Sequence, residues 1–339
     1  MSAKQVYNNA DFGISQTSMK YIIRKEYNMD KIIEVKNLKK SFKQNQVLKG
    51  VDFHIYKGKI FALLGSNGAG KTTCVKILST LTKADSGSAT ICGYDVFKQA
   101  NDVRGRISLT GQYAAVDEML TGRENLHLIS KLKHLPDFNK QTDKLLALIH
   151  LEDAADKLVA EYSGGMRRRL DIAMSLLGNP QVIFLDEPTT GLDPQNRIAM
   201  WDMIAKLAEN GTTILLTTQY LEEAEYLADH IAILHDGVIT AEGSPEELKK
   251  ILPIGEVLLE FINSADVEKA QKLLADYTCN TRRKMIEVST DGSAMQLADI
   301  LNRINDSGIP ISRFTQNQPS LEDAFLTLIG EKIEETKDE

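Results

Sequence analysis

The sequence predicts an α/β domain followed by a smaller α+β domain. Two observations predict the first. Three short apolar runs, "KIFALLG" (59–65), "QVIFLDE" (181–187) and "TTILLTT" (212–218), end in glycine or polar residues. That is the pattern of parallel strands buried on both faces. Longer stretches with helical character, such as 140–150 and 195–210, lie between and beside them. A third observation predicts the second domain: from near Glu256 the chain changes to short strand–helix pairs.

The N-terminal stretch 1–30 is polar, without a clear period, and is expected to be a weakly ordered extension. It has neither the apolar core nor the cleavage site of a secretory signal. Met29 sits just before the patterned sequence, so an internal start there is plausible. The α/β domain is expected over 31–248, with strands and helices alternating from Ile32. "IAILHDGVITAEG" (231–243) reads as a hairpin turning at Asp236-Gly237. The second domain is expected over 253–331 as βαβαβα, with strands "EVLLEFI", "KMIEVST" and "PISRFTQ". Its last helix, "SLEDAFLTLIG", opens on Ser320 with Asp323 at capping-box spacing. The tail 332–339 is charged.

Bulk composition narrows the function. A net charge of −7 argues against a general nucleic-acid binder, and no nucleic-acid partner is expected. Cys74, Cys92 and Cys279 form no CxxC pair, which fits free thiols packed as small apolar groups in a reducing compartment. No run approaches the ~18 apolar residues of a membrane span, so any crossing of a membrane belongs to other chains.

Three stretches carry chemistry. "GSNGAGKTT" (65–73) follows an apolar strand and matches G-x-x-x-x-G-K-[ST] at Gly65, Gly70, Lys71 and Thr72. Glycines let backbone N–H groups turn inward around phosphates, and the helix start that follows adds favourable potential. The expected phosphate cradle is Gly65, Ser66, Asn67, Gly68, Ala69, Gly70, Lys71, Thr72 and Thr73. Lys71 reaches the β- and γ-phosphates in this motif, and the Thr72 hydroxyl ligates Mg²⁺.

"VIFLDEPTTGLDP" (182–194) places Asp186 at a strand end, where a Walker-B aspartate holds Mg²⁺. Glu187 beside it is suited to polarise an attacking water. "YSGGMRRRLDIA" (162–173) is a second helix start that exposes backbone N–H groups. One nucleotide does not need two such sites from one subunit. Ser163, Gly164 and Gly165 are therefore assigned to the nucleotide of a partner subunit. Arg167, Arg168 and Arg169 read as helix-surface cations, some pairing with phosphate or acidic loops.

In this order the motifs resemble the nucleotide-binding domain of ABC transporters over residues 32–248. "GQYAAVDEMLTGRENL", "SGGMRRRLDIA", "TTQYLEEAE" and "PSLEDAFL" are similar to the daunorubicin/doxorubicin-resistance type of ATP-binding subunit, through residue 330. The resemblance implies a P-loop NTPase of ABC type with a helical signature subdomain. It implies that Phe42 stacks on adenine and that Gln112 senses Mg²⁺ and the γ-phosphate. Asp193 would join the two sites of a dimer. Gln219 falls at the switch position, where most of the family has histidine. The implied catalytic set is Glu187, Gln219 and Lys71, and the implied metal set is Thr72, Gln112 and Asp186. Ser66 stands where proline is common, Met166 where the signature usually has glutamine, and Tyr162 where it has leucine.

Glutamine keeps an NH₂ donor and a carbonyl acceptor but does not titrate near neutrality. His230 and His235 are expected on the next strand, too far along to replace it. The resemblance further implies ATP and Mg²⁺ as cofactors and a homodimer that sandwiches two ATP. A separate integral membrane permease, a place on the cytoplasmic face of the cell membrane and drug efflux follow in the same way. Lipid export, or a permease-free ATPase acting on ribosomes or DNA, is the alternative.

Overall fold

The structure, a computed structural model, describes residues 30–249, 255–282, 284–290, 293–317, 320–322 and 325. The N-terminal stretch before Asp30, the tail 332–339 and most of the helix expected from Ser320 lie outside the described residues. Of that helix, Leu321 is fully buried against the core of the α/β region, with Phe325 packed beside it.

The chain does not begin with the expected strand–helix alternation. Strands β1 (Lys31–Phe42) and β2 (Asn45–Tyr56) pair antiparallel, and β4 (Ser86–Ile91) and β5 (Tyr94–Asp95) extend them into a four-stranded sheet of order β2-β1-β4-β5. The β1 pattern is hard to read because it changes phase. Ile33 and Val35 face the core, then the register shifts between Val35 and Leu38, with Asn37 at φ 46°. The bulge returns Leu38 to the buried face.

The second sheet is the expected parallel one. Strands β3 (Ile60–Leu64), β6 (Ile107–Thr110), β7 (Val182–Asp186), β8 (Thr213–Thr218), β9 (His230–His235) and β10 (Val238–Gly243) lie in the order β10-β9-β3-β8-β7-β6. All pair in parallel except the edge strand β10, which turns back antiparallel at Asp236-Gly237. Both turn residues have positive φ, 46° and 79°, as a two-residue hairpin of this twist requires.

The apolar runs are continuous because both faces are covered. Ala62, Leu64, Ile183, Leu185, Ile214 and Leu216 pack into one core. Phe61, Leu63, Val182, Phe184 and Leu215 alternate with them and pack into another. Cys74 is buried in the second core, where burial pushes its thiol up to about 12.

The helical segment between β6 and β7 contains helices Gly122–Leu132, Phe138–Leu148 and Gly164–Leu176. The first is held by a capping box between Thr121 and Glu124.

The C-terminal region is α+β, with one more strand than expected. Strands β11 (Gly255–Phe261), β12 (Cys279–Arg282), β13 (Met285–Thr290) and β14 (Ile311–Asn317) form an antiparallel sheet of order β12-β13-β11-β14. With helices Ser264–Leu273 and Ala294–Asp306 this gives β-α-β-β-α-β, the split βαβ pattern, instead of βαβαβα through this stretch. The extra strand, "CNTR", has no apolar run, so periodicity gave no signal for it. It is held by its ladder to β13.

No helix among the described residues is long and apolar enough to cross a membrane.

Candidate functional site

Parallel pairing puts the carboxyl ends of β3, β6, β7 and β8 at one edge of the sheet, where open α/β sheets bind ligands. Gly65, Gln112, Glu187 and Gln219 follow those ends directly or within two residues.

The phosphate loop is shaped by what glycine permits. A Cβ on Gly65 would fall 2.3 Å from the Leu234 carbonyl oxygen. Gly70 has φ 111° and caps the helix Lys71–Leu78, and a Cβ there would meet Leu48 Cδ2 at 2.7 Å. That helix has no side-chain cap and no acidic residue in its first turn, so its positive end is open to an anion. Ser66, Asn67 and Gly68 are exposed, Ala69 and Lys71 are buried, and Thr72 and Thr73 are half-buried.

Lys71 is 4% exposed. Its Nζ donates to the carbonyls of Gly65 (2.8 Å) and Ser66 (3.1 Å) and lies 3.4 Å from Glu187 Oε1. The Thr72 hydroxyl donates to Asp186 Oδ1 at 3.1 Å, and the Thr217 hydroxyl donates to the same atom at 2.5 Å.

Glu187 has φ 50°. Its N–H points at the Thr217 carbonyl and hydroxyl, 3.1 Å from each. Its Oε2 accepts from Thr190 Oγ1 at 3.2 Å and, at 3.4 Å, from Gln112 Nε2. Lys71, Thr72, Gln112, Asp186 and Glu187 therefore form one cluster, and Thr217 belongs to it although the sequence reading did not single it out.

The remaining predicted residues lie elsewhere. Ser163 caps the helix Gly164–Leu176 by accepting from the Met166 N–H at 3.3 Å. Asp193 caps the helix Pro194–Glu209 by accepting from the Asn196 N–H at 3.0 Å, and its Oδ2 takes a second bond from Asn196 Nδ2 at 2.6 Å. That N–H is the main reason the Asp193 carboxyl sits below its usual range.

Asn196 joins these two helix starts: a Cβ on Gly165 would fall 2.5 Å from Asn196 Oδ1. Ser163, Gly164 and Asp193 are exposed, and no hydrogen bond or ion pair among the described residues links them to the Lys71 cluster. Phe42 is 50% exposed at the end of β1, under the Lys40 ammonium at 5.3 Å. The partner strand β2 packs Val47 and Leu48 against Gly70. Gln219 is half-buried, and its side chain makes no hydrogen bond among the described residues.

One expectation is overturned: Arg168 is not a surface cation. It is 5% exposed, and burial lowers its pKa. Helix phase gave the signal, since Arg168 shares a face with Gly165 and Ile172, both buried. Arg167 does pair with an acidic loop, donating to Glu118 Oε1 at 2.6 Å.

Residues 48–190 match the family described as ABC transporter, and residues 243–329 match the C-terminal domain of DrrA1-3-like ATP-binding proteins. The daunorubicin resistance ATP-binding protein DrrA2 of Streptomyces coeruleorubidus is 40% identical over 312 residues, 90% of this chain and 97% of that protein. The chain belongs to the ABC transporter ATP-binding proteins of the daunorubicin/doxorubicin-resistance group.

The Nod factor export ATP-binding protein I of Burkholderia thailandensis is 36% identical over 307 residues, covering 89% of this chain and 98% of that protein. A solved ABC cassette, a dimer in a post-hydrolysis state bound to ADP and Pi, superposes with a TM-score of 0.57 at 26% identity, over 62% of this chain and 98% of that one. As an ABC ATPase this chain binds and hydrolyses ATP.

Behind the Gln219 loop of this ATPase lies a buried carboxyl. Glu223 is 0% exposed, on helix Leu221–Leu227. Its Oε1 accepts from Thr189 Oγ1 (2.7 Å) and from the Trp201 indole (3.1 Å), tying this helix to the segment after β7 and to the helix Pro194–Glu209. Burial pushes its pKa up, opposed by the hydroxyls of Thr218 and Thr189 and by the indole. A carboxyl raised on folding contributes stability that is complete below its unfolded pKa, about 4.3, and is lost as pH rises through the folded value. The unfolding free energy of the native chain should therefore fall relative to Glu223→Gln as pH rises above the unfolded value of about 4.3. Denaturant titrations at a series of pH values upward from there check this. A difference between the two proteins that does not change with pH contradicts it.

Proposed function

We propose that the chain is the ATP-hydrolysing subunit of an exporter, in which Lys71, Thr72, Asp186, Glu187 and Gln219 act on one ATP while Ser163–Gly165 and Asp193 serve the ATP of a second copy. One observation carries this reading. The groups suited to phosphate, metal and water converge within the chain, and a second anion-binding helix start, built with equal care, faces solvent.

The division of labour follows from the chemistry. The open end of helix Lys71–Leu78 and the loop N–H groups take the β- and γ-phosphates, and Lys71 neutralises them. The oxygens of Thr72, Asp186 and Gln112 are a hard set that fits Mg²⁺, which when bound supplies charge neutralisation at the phosphates. Glu187 is the base toward water. The Gln219 amide donates to the γ-phosphate or its water, and Phe42 offers the ring for adenine.

Dimerisation is head to tail, each ATP lying between one phosphate loop and the other copy's signature. The solved relative described as a dimer supports this arrangement. The ATPase is residues 31–248 and residues 253–331 form an accessory domain, flanked by the extension 1–30 and the tail 332–339. Closure on ATP drives a separate membrane permease from the cytoplasmic face of the membrane, received by the exposed loop Gln112–Leu120. Drug efflux is the favoured cargo class because the 40%-identical relative is a resistance protein.

Glu187→Gln keeps the shape and removes the base. It should bind ATP normally and hydrolyse it at least about tenfold slower, with an ATP-bound dimer accumulating in size-exclusion chromatography. Unchanged turnover removes Glu187 from the base role.

A donor to the γ-phosphate or its water is worth about 1.5–3 kcal/mol, so Gln219→Ala should lose about one to two factors of ten in rate. Gln219→His should keep substantial activity and gain a titration near about pH 6–7 that the native chain lacks at this position. Steady-state rates against pH at saturating Mg·ATP check both. An alanine variant as fast as the native protein ends the assignment.

A further inference from the structure

The three arginines after the signature differ in what they touch, and the middle one reaches the catalytic strand. Arg168 Nε donates to the Pro188 carbonyl at 2.9 Å. Its Nη2 lies 3.3 Å from the Asp186 carbonyl and 3.4 Å from that of Glu187. Its Nη1 donates to the Gly111 carbonyl at 2.5 Å and to Asp171 Oδ2 at 3.3 Å. One planar fork thus gathers three successive carbonyls, 186 to 188, and the carbonyl that precedes Gln112.

We propose that Arg168 is a positioning residue that holds the main chain of Glu187 and Gln112, and through it the base, in the geometry needed for hydrolysis. Three arguments support it. Only a guanidinium offers five donors in a rigid plane, and the distances to these carbonyls and to Asp171 match that capacity. The carbonyls converge on one point because Glu187 is left-handed at φ 50°, a turn that needs something on its outer side to satisfy it.

Arg168 also sits on the helix whose first residues are the signature, five positions from Ser163, about 7 Å along the axis. A force on that helix start reaches the base of the same chain through a side chain that does not touch substrate. This inference rests on the assignment of Glu187 as the base.

The test is a double-mutant cycle on the full-length protein. Arg168→Lys keeps the charge and removes the fork. It should hydrolyse ATP at least about tenfold slower while its dissociation constant for a fluorescent ATP analogue stays within about threefold. On a Glu187→Gln background, in single-turnover assays with labelled ATP, the same change should slow hydrolysis by less than about twofold, because the group it positions is already gone. A full tenfold loss on both backgrounds, an unchanged rate in Arg168→Lys alone, or ATP binding lost in parallel overturns the proposal. Arg168→Gln, which removes the buried cation and keeps an amide donor, carries the cycle if the lysine variant does not fold. Unfolding of both makes Arg168 a stability element and overturns it as well. Unchanged turnover of Glu187→Gln in the otherwise native chain is a separate result, which removes the base assignment itself.

Discussion

The left-handed turn at Glu187 is the constraint on which the site depends. Adjacent residues in an extended strand point to opposite faces. Asp186 ends β7 and accepts from Thr72 and Thr217, yet Glu187, its immediate neighbour, also reaches back to Lys71. Both carboxylates meet one phosphate loop only because the chain leaves the extended conformation between them, at φ 50°. For a residue with a side chain that conformation costs about 1–2 kcal/mol. The Glu187 N–H bonded to Thr217 and the outward carbonyls drawn to Arg168 offset it. Strain at a site persists where its surroundings over-determine it, and here they do so from two sides.

The same logic explains what was legible in the sequence. The phosphate loop could be read because its glycines answer backbone demands that no other residue meets: Gly70 at φ 111° and Gly65 against the Leu234 carbonyl. The parallel strands could be read because both faces are covered and the runs are unbroken. Strands β1 and β2 were harder, since the bulge at Asn37 interrupts the alternation. Strand β12 left no apolar trace at all.

Within the site, the legible residues were those that belong to a sequence motif. Thr217, Arg168, Glu223 and Asn196 were not, because they act on other protein groups. Their partners come from elements up to 57 positions away in the chain, and spacing does not encode that. Arg168 is instructive: flanked by two arginines that are half-buried, it is told apart only by helix phase.

Two helix starts remain joined to each other through Asn196 and apart from the Lys71 cluster. Their separation is what makes the proposed composite site the central claim. A heterodimer of one Ser163→Arg chain and one Lys71→Ala chain tests it most directly. If Ser163 serves the opposite nucleotide, both lesions fall in one composite site and the other is intact. Steady-state ATPase of the purified heterodimer should then be a substantial fraction of native, while either variant homodimer loses nearly all activity. A heterodimer as inactive as the two homodimers contradicts the account.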